Sequence, residues 1–350
     1  MKKVTIIALF ILLVAPLFTY LTLIDYAHRP VDESPASYII DIPKGTSFVK
    51  IVDILAQAGV VKHQLLFYLL ALSQKSAHQI RAGEYEMMSS MSPLEVLKKL
   101  VRGEIKGYLV TFPEDVKLRE MAARLASYKL VDEEAFMRLA ADRQFIASLG
   151  IDSASLEGFL YPDTYLLDRS MDAKEIIKIM VNQFQKMISP EMRKRATEMG
   201  FTLEALVTLA SIIGKESGNK EEKPLISAVF HNRLRKGMKL QSDPTAIYEL
   251  HGFNGAIKRK DLQNNKPHNT YHIKGLPPSP IANPGKDSLQ AALYPAPVNY
   301  LYFVSKKDGT HYFSANLRAH NEAVSRYQVS KEKETLAPDM PDTPEFPDRH

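Results

Sequence analysis

The chain has 350 residues, of which 45% are hydrophobic and 24% are charged, and its formal net charge is +5. This length predicts two or three domains and allows a sizeable core. The absence of cysteine excludes disulfides, thiolate metal sites and a cysteine nucleophile. Its basic residues form no dense stripe with interleaved aromatics, so we expect no nucleic-acid partner. A mild positive charge suits work near anionic lipid or an acidic polymer.

The N-terminus carries an apolar run behind two lysines. Lys2 and Lys3 precede twenty uncharged residues, 4–23, which as a helix at about 1.5 Å per residue would span a bilayer core. We predict a single-pass membrane anchor within residues 1–24, with the lysines in the cytoplasm and the rest of the chain outside the membrane. A cleavable signal peptide is the alternative, but the run is long for one and no good cleavage site follows it.

The region after the anchor contains two similar segments. Residues 25–37 hold charges, prolines and small side chains and predict a linker. Beyond it, Pro43 and Pro113 lie 70 positions apart, and each follows a strand-like stretch and precedes two helix-like stretches in the same register. We therefore predict two related small α/β units within residues 38–150, although any two strand–helix stretches could share this pattern.

The composition then changes, and residues 151–330 predict a further domain that mixes helices and strands. The long irregular stretch 241–284 carries aromatics, asparagines and paired prolines, and we expect it to form a wall of a binding cleft. Two strand-like stretches that flank Asp308-Gly309 predict a hairpin. The tail 331–350 is rich in Pro, Asp, Glu and Lys, which predicts disorder.

One carboxylate stands at an unexpected place in this domain. Glu216 closes an apolar helical run that begins at Leu203, and helical spacing puts it on the face of Leu209 and Ile213. Desolvation there should raise its pKa, as a general acid working near neutral pH requires. Lys215 is expected on the opposite side, together with the hydroxyl side chains of the helix, and we predict that this side is polar and solvated. The structural alternative is a solvated or ion-paired glutamate at a frayed helix end.

Other chemistries lack their sequence signals. No pair of histidines at helical spacing with a nearby carboxylate predicts a zinc site, and no G-x-S-x-G elbow supports a serine hydrolase. We expect neither a metal nor a cofactor. His268, His272 and His311 are interpreted as polar loop or strand residues.

The sequence offers one well-placed acid, whereas a glycosidase of the usual type needs two carboxylates. Asp243, which precedes Pro244, is the possible second, although a turn residue is the stronger interpretation. One acid suffices where the sugar supplies the nucleophile. In murein, the C6 hydroxyl of N-acetylmuramic acid (MurNAc) can attack its own C1, so one glutamate can protonate the leaving oxygen and then take the hydroxyl proton.

Several motifs occur in a characteristic order along the chain. They are Leu156 to Gly158, Pro162 to Tyr165, Ala210 to Glu216, Val229 to Leu234, Met238 to Thr245, Asn269 to Tyr271, Gly275 to Pro278, Ile281 to Gly285 and Tyr300 to Val304. With these motifs the chain resembles the endolytic murein transglycosylases of the MltG type, also called YceG-like proteins, from the N-terminal anchor to about residue 330. One departure is Gly214, which stands where the family often has the first glutamate of Glu-Lys-Glu. The second glutamate, the family's catalytic one, corresponds to Glu216.

The resemblance implies cleavage of the β-1,4 bond between MurNAc and N-acetylglucosamine (GlcNAc) within nascent peptidoglycan strands. Glu216 would act as general acid and then base, and the products would carry 1,6-anhydro-MurNAc ends. The fold implied is α+β, with a single transmembrane helix, a LysM-like α/β membrane-proximal region and a mixed α+β catalytic domain. The resemblance also implies a place on the periplasmic side of the inner membrane, alongside peptidoglycan synthases.

Candidate substrate-binding residues carry amide, hydroxyl or carboxylate groups, which suit N-acetyl groups and sugar hydroxyls. They are Gln241, Asp243, Asn269, Thr270 and Tyr271. Asn232 and Arg233 are either cleft residues or a structural pair that supports the loop. Two other functions stay open: a peptidoglycan-binding scaffold without catalysis, and a murein hydrolase in which Asp243 activates water.

Overall fold

The computed structural model describes residues 2–32, 36–250, 252–253, 255 and 257–329. Within them the fold is mixed α+β, as the sequence predicts, with helices and three two-stranded sheets. The chain divides into two compact units. The first comprises the described chain up to Val110, Leu125–Asp132 and Thr164–Ile176, and the second comprises Thr111–Arg124, Glu133–Asp163 and the described chain from Ile177 onward. The predicted domain boundary at residue 151 stays a prediction.

The N-terminal helix α1 (Lys2–His28) covers the predicted anchor and runs four residues into the predicted linker. Within the described part of the chain, no single helix has both the length and the apolar composition of a membrane span. The helices Pro190–Glu198 and Leu203–Glu216, bent by 93° relative to each other, pass that test together by length and composition alone. Membrane anchoring therefore stays a prediction.

The first unit continues with two paired strands and three helices. These elements are β1 (Ser37–Ile42), α2 (Phe48–Gln57), α3 (Gln64–Ser73), β2 (Gly83–Met88) and α4 (Pro93–Arg102). The two strands pair antiparallel along their whole length. Apolar side chains from both strands and all three helices, including Phe67, Tyr85 and Leu97, form one buried core. Helix α4 begins at an N-cap serine, Ser92, whose hydroxyl accepts from the Glu95 amide while the Glu95 carboxylate accepts from the Ser92 amide.

The strand–helix–helix order recurs further along, at the predicted 70-residue offset. The elements are β3 (Tyr108–Thr111), α5 (Leu118–Ser127), α6 (Glu133–Leu139), α7 (Arg143–Ser148), β4 (Thr164–Leu167) and α8 (Ala173–Met187). β3 pairs with β4 in a second two-stranded sheet. That either set of elements is a LysM-like module stays a prediction.

The remaining elements all lie in the second unit. They are α9 (Pro190–Glu198), α10 (Leu203–Glu216), α11 (Lys223–Arg235), α12 (Asp243–Ile247), α13 (Arg259–Leu262), α14 (Lys286–Leu293), β5 (Tyr302–Ser305), β6 (His311–Ser314), α15 (Leu317–Val324) and a π-helix (Ser325–Val329). The predicted hairpin is confirmed, since β5 and β6 pair antiparallel and Gly309 has the left-handed φ of +84° that favours glycine in the turn. The predicted disordered tail, 331–350, lies outside the described residues.

Helix α10 is buried on every side along its centre, which corrects the expectation of a solvated polar face. Thr208 and Ser211 are fully buried, and α14 packs against the helix. Their hydroxyls are satisfied locally: Ser211 donates to the Thr208 carbonyl at 2.8 Å and accepts from the Ile281 amide at 3.0 Å. Serine and threonine side chains are tolerated on a buried helix face because each hydroxyl finds a backbone partner within one turn of the helix or in the covering loop.

Candidate active site

Glu216 is the last residue of α10, and its side chain lines a cavity of about 520 Å³. The helix begins at Thr202, whose hydroxyl accepts from the Ala205 amide at 3.1 Å, and ends where Ser217 turns to an extended conformation. The cavity wall comes from several helices, strands and loops of the second unit. Its lining residues are Glu216, Arg233, Gln241, Asp243, Tyr271, Phe303, Val304, Ser305, His311, His320 and Gln328.

The carboxyl group of Glu216 is held near the midpoint of its titration at neutral pH. Burial raises its pKa to about 7, the hydrogen bond from Ser242 lowers it, the charge of Asp243 raises it and the charge of Arg233 lowers it. The Ser242 hydroxyl donates to Oε1 at 2.5 Å. The other oxygen, Oε2, has no hydrogen-bond partner among the residues that the structure describes. A carboxyl group of this kind can donate a proton and later accept one.

The loop that carries Ser242 is held in place by hydrogen bonds to the buried residue Thr270. Thr270 is fully buried, and its hydroxyl accepts from the Ser242 amide at 2.9 Å and lies 2.8 Å from the Thr245 hydroxyl. The amide of Gln241 donates to the Thr270 carbonyl at 3.2 Å, and Gln241 itself has a left-handed φ of +50°. This backbone turn places Ser242 toward Glu216 and Gln241 on the cavity wall.

The structure separates the five predicted substrate-binding residues into two groups. Gln241, Asp243 and Tyr271 line the cavity, and the Tyr271 hydroxyl donates to Asp243 Oδ1 at 2.5 Å. Asn269 and Thr270 are fully buried in the loop. The Asn269 amide group donates to the carbonyls of Leu262 and Asn264 at 3.0 and 2.7 Å. The role of the five in binding substrate stays a prediction.

Asn232 and Arg233 differ in their surroundings. The Asn232 amide group donates to the carbonyls of Val298 and Tyr300, so it fastens α11 to the segment that leads into β5. Arg233 is 7% exposed and lines the cavity. Its guanidinium donates to the carbonyls of Leu240 and Leu301, each at 2.7 Å. Among the described residues no carboxylate lies within ion-pair distance of it. The guanidinium also lies over the ring of Tyr302, 5.3 Å from its centroid, so a buried positive charge faces the cavity with carbonyl groups and an aromatic ring as its partners.

The hairpin β5–β6 supplies a wall that the sequence did not predict. Phe303, Ser305 and His311 line the cavity, as does His320 of α15. His320 stacks on Tyr302 with ring centroids 5.1 Å apart. The turn predicts the hairpin, but nothing in the local pattern indicates that the hairpin lines the same cavity as Glu216. The interpretation of His311 as a strand residue is confirmed. No signal in the sequence shows that this residue also lies on the cavity wall.

A second buried glutamate, Glu157, shows that a raised pKa alone does not identify the site. Burial raises its pKa to about 7, as for Glu216. Its oxygens, however, accept from the Leu118 amide at 2.9 Å, the Asn283 side chain at 3.1 Å and the Tyr248 hydroxyl at 2.9 Å. With both oxygens bound by three protein donors, Glu157 serves as a structural junction, although it borders a separate cavity of about 500 Å³.

The space beside Gly214 is occupied by a carboxylate from another segment. A Cβ atom on Gly214 would lie 1.8 Å from Asp115 Oδ1, so any larger residue would displace that side chain. Asp115 Oδ2 lies 3.6 Å from the Nζ atom of Lys223, which is 3% exposed and also donates to the Ser288 hydroxyl at 2.9 Å. Burial raises the pKa of Asp115, while the charge of Lys223 lowers it. A carboxylate therefore does lie beside the Glu216 helix, supplied by Asp115 instead of residue 214.

Two further features of the described residues help to define the site. A larger cavity, of about 890 Å³, is lined by residues such as Phe201, His231 and Leu276 and has no carboxylate in its wall. Over the described residues, no three His, Asp or Glu side chains come together as a group that could hold a metal ion. Compared with this cavity and the one that Glu157 borders, both formed by described residues, the cavity at Glu216 combines amide, hydroxyl and guanidinium groups with an acid of raised pKa that keeps one oxygen free of protein donors.

Comparisons with known proteins agree on one protein family. The sequence pattern of the YceG-like family matches residues 40–326. A Bacillus subtilis protein named endolytic murein transglycosylase is 33% identical over 324 residues, which are 87% of this chain and 88% of that protein. A Streptococcus pneumoniae protein of the same name is 30% identical over 335 residues, 86% of this chain and 60% of that protein. The crystal structure of a yceG-like protein from Listeria monocytogenes matches with a TM-score of 0.57 and 32% identity, covering 82% of this chain and 98% of that one.

Proposed function

The chain belongs to the YceG-like family, and from this premise we propose that it is an endolytic murein transglycosylase, a lyase that acts on peptidoglycan. It cleaves the β-1,4 bond between MurNAc and GlcNAc within nascent glycan strands and leaves 1,6-anhydro-MurNAc ends. One observation carries the proposal: Glu216, with a pKa of about 7, lines a cavity of about 520 Å³, a volume in the usual range for ligand sites.

The reaction needs one proton to leave Glu216 and one to return. In the first half, protonated Glu216 donates to the glycosidic oxygen as its bond to C1 breaks. In the second half, the C6 hydroxyl of MurNAc adds to C1, and the Glu216 carboxylate receives the hydroxyl proton. General acid–base help of this kind contributes about 10²–10⁴-fold to the rate. Ser242, whose hydroxyl donates to Glu216 Oε1, favours the ionised form between the two halves.

The substrate contacts follow from the groups on the cavity wall. Gln241, Asp243 and Tyr271 present amide, carboxylate and hydroxyl groups to the cavity, and we assign them to the N-acetyl groups and hydroxyls of the sugar. Asn269 and Thr270 support these contacts from behind, because their side chains hydrogen-bond within the loop. No cofactor is required by this chemistry.

Two other functions would use the same cavity differently. A murein hydrolase would need Asp243 to activate water, but Asp243 already accepts the Tyr271 hydroxyl at 2.5 Å. A scaffold without catalysis would not need an acid of raised pKa that lines the cavity with one oxygen free of protein donors, as Glu216 does. The products separate all three functions, since a transglycosylase makes anhydro ends, a hydrolase makes reducing ends and a scaffold makes neither.

We also propose a location and partners. Residues 4–23 behind Lys2 and Lys3 anchor the protein in the inner membrane with the catalytic part on the periplasmic side. The membrane-proximal α/β units are LysM-like and associate with glycan near peptidoglycan synthases. A reporter fused to the C-terminus should be active only outside the cytoplasm, and the mature protein should retain residues 1–24. Activity of the fusion in the cytoplasm would contradict this topology.

The central experiment is mass spectrometry of glycan strands after incubation with the protein. New ends should be 1,6-anhydro-MurNAc, lighter by one water than reducing ends. The Glu216→Gln variant should cleave at least about 10²-fold more slowly, because an amide cannot donate and recover the proton. Glu221→Gln, an exposed carboxylate five residues further on, is the matched control and should cleave as the wild type does. Reducing ends from the wild type, or normal cleavage by Glu216→Gln, would refute the proposal.

A further inference from the structure

His311, on the wall of the Glu216 cavity, is paired with a carboxylate that lies outside the cavity lining. Nδ1 of His311, the first residue of β6, lies 2.7 Å from Glu222 Oε2. The backbone amide of His311 donates to the other oxygen of the same carboxylate at 2.9 Å. Both side chains are largely buried, with 13% and 11% of their surfaces exposed. Glu222 thus holds His311 through two hydrogen bonds, at the point where α11 begins.

This pairing fixes which nitrogen of His311 is available. A carboxylate can only accept hydrogen bonds, so the neutral imidazole carries its proton on Nδ1 and has a lone pair on Nε2. Among the described residues none forms a hydrogen bond with Nε2. The ring plane is set by Phe303, which packs edge-on at 5.5 Å between centroids and 90° between planes. The imidazole therefore presents a proton acceptor of fixed orientation.

The proposed mechanism does not use this group, although it borders the same space. Glu216 and His311 both line the cavity of about 520 Å³, and Ser305, directly opposite His311 in the hairpin, lines it as well. A histidine oriented by a carboxylate is a recurrent arrangement for taking a proton from a hydroxyl nucleophile. In this reaction the hydroxyl nucleophile is the C6 hydroxyl of MurNAc.

We propose that His311, oriented by Glu222, receives the C6 hydroxyl proton and relays it to Glu216. This inference rests on the proposed function and refines its second half. As the C6 oxygen forms its bond to C1, its O–H bond breaks and the proton moves to Nε2, which makes an imidazolium that the Glu222 carboxylate stabilises. Nε2 then releases the proton to the Glu216 carboxylate through water. Glu216, which lost its proton to the leaving oxygen, is restored, and no co-reactant is consumed.

The test measures kcat, KM and product mass with the intact protein and purified glycan strands. His311→Ala should lower kcat by about 10²–10⁴-fold with KM changed less than about threefold, and added imidazole should restore part of the lost rate. His311→Gln, which retains a donor for Glu222, covers the case in which the alanine variant folds poorly, and it too should be slow. Glu222→Gln should be slow because the amide no longer fixes the tautomer, and imidazole should not restore it. The control is His272→Gln, an exposed loop residue, which should be unaffected with or without imidazole.

The outcomes distinguish this inference from the function on which it rests. If Glu216→Gln is inactive while folded His311→Ala and His311→Gln retain wild-type kcat, the relay is refuted and the transglycosylase proposal stands. A folded His311→Ala variant that is slow but gains nothing from imidazole also refutes the relay, since a structural role would give that result. If Glu216→Gln itself cleaves normally, the proposed function has failed.

Discussion

Replacing Glu216 by glutamine should stabilise the protein at alkaline pH and change its stability little at acid pH. Burial holds the pKa of Glu216 at about 7 in the folded protein, against an ordinary value of 4.5. Because the folded pKa is the higher, the contribution of this group to stability is complete below about pH 4.5 and is lost as the pH rises through 7. Well above pH 7, keeping the carboxylate desolvated costs about 3 kcal/mol. Glutamine has the same shape and never ionises.

Denaturant unfolding of both proteins at about pH 5 and about pH 8.5 measures this effect. Between these values, the free energy of unfolding of the wild type should fall relative to that of Glu216→Gln by about 2 to 3 kcal/mol. Other groups, including Glu157 with its pKa of about 7, titrate in both proteins and cancel in the comparison. If the two proteins differ by the same amount at both pH values, the Glu216 carboxyl group is not desolvated and the reasoning is wrong.

Two further predictions concern the surroundings of this carboxyl group. The pH–rate profile should fall as Glu216 loses its proton near pH 7, and Ser242→Ala should move that fall to higher pH because it removes the hydrogen bond that lowers the pKa. An unmoved profile would show that Ser242 does not tune the acid. Gly214→Ala should lower the free energy of unfolding by about 1–3 kcal/mol, because its methyl group would lie 1.8 Å from Asp115 Oδ1. In a double-mutant cycle, Gly214→Ala should lower the free energy of unfolding less in the Asp115→Gly background than in the wild type. Equal losses in the two backgrounds would argue against the clash.

Local signals in the sequence were sufficient for most of the secondary structure. The glycine at position 309 and the apolar spacing of α10 act over a few residues, so they can be read directly from the sequence. The burial of Thr208 and Ser211 could not be predicted from such local signals, because the elements that cover them lie some 70 residues further along the chain. A serine or threonine whose hydroxyl bonds to the backbone of its own helix gives the same sequence pattern whether that face of the helix is solvated or covered by another element.

The same distinction applies to the site. Glu216 was recognisable because its helical position conflicts with its charge, which is a local observation. The contributions of Arg233 and His311 depend on how α11 and the β5–β6 hairpin fold back to a common cavity, and no local pattern records that. Asp115 is the clearest case, since the motif at Gly214 lacks a carboxylate in the sequence while the folded protein supplies one from about 100 positions earlier.

The opposing effects of its neighbours on the pKa of Glu216 suit a group that must first donate a proton and then accept one. A stronger acid would donate its proton more readily but would be a poorer acceptor in the second half of the reaction, and a weaker acid would have the opposite defect. Burial and the charge of Asp243 raise the pKa, whereas Ser242 and Arg233 lower it. Any single change among these neighbours therefore favours one half of the reaction at the expense of the other. A relay through His311 would ease this conflict, because the second proton would first meet a separate acceptor and Glu216 would need only to recover it.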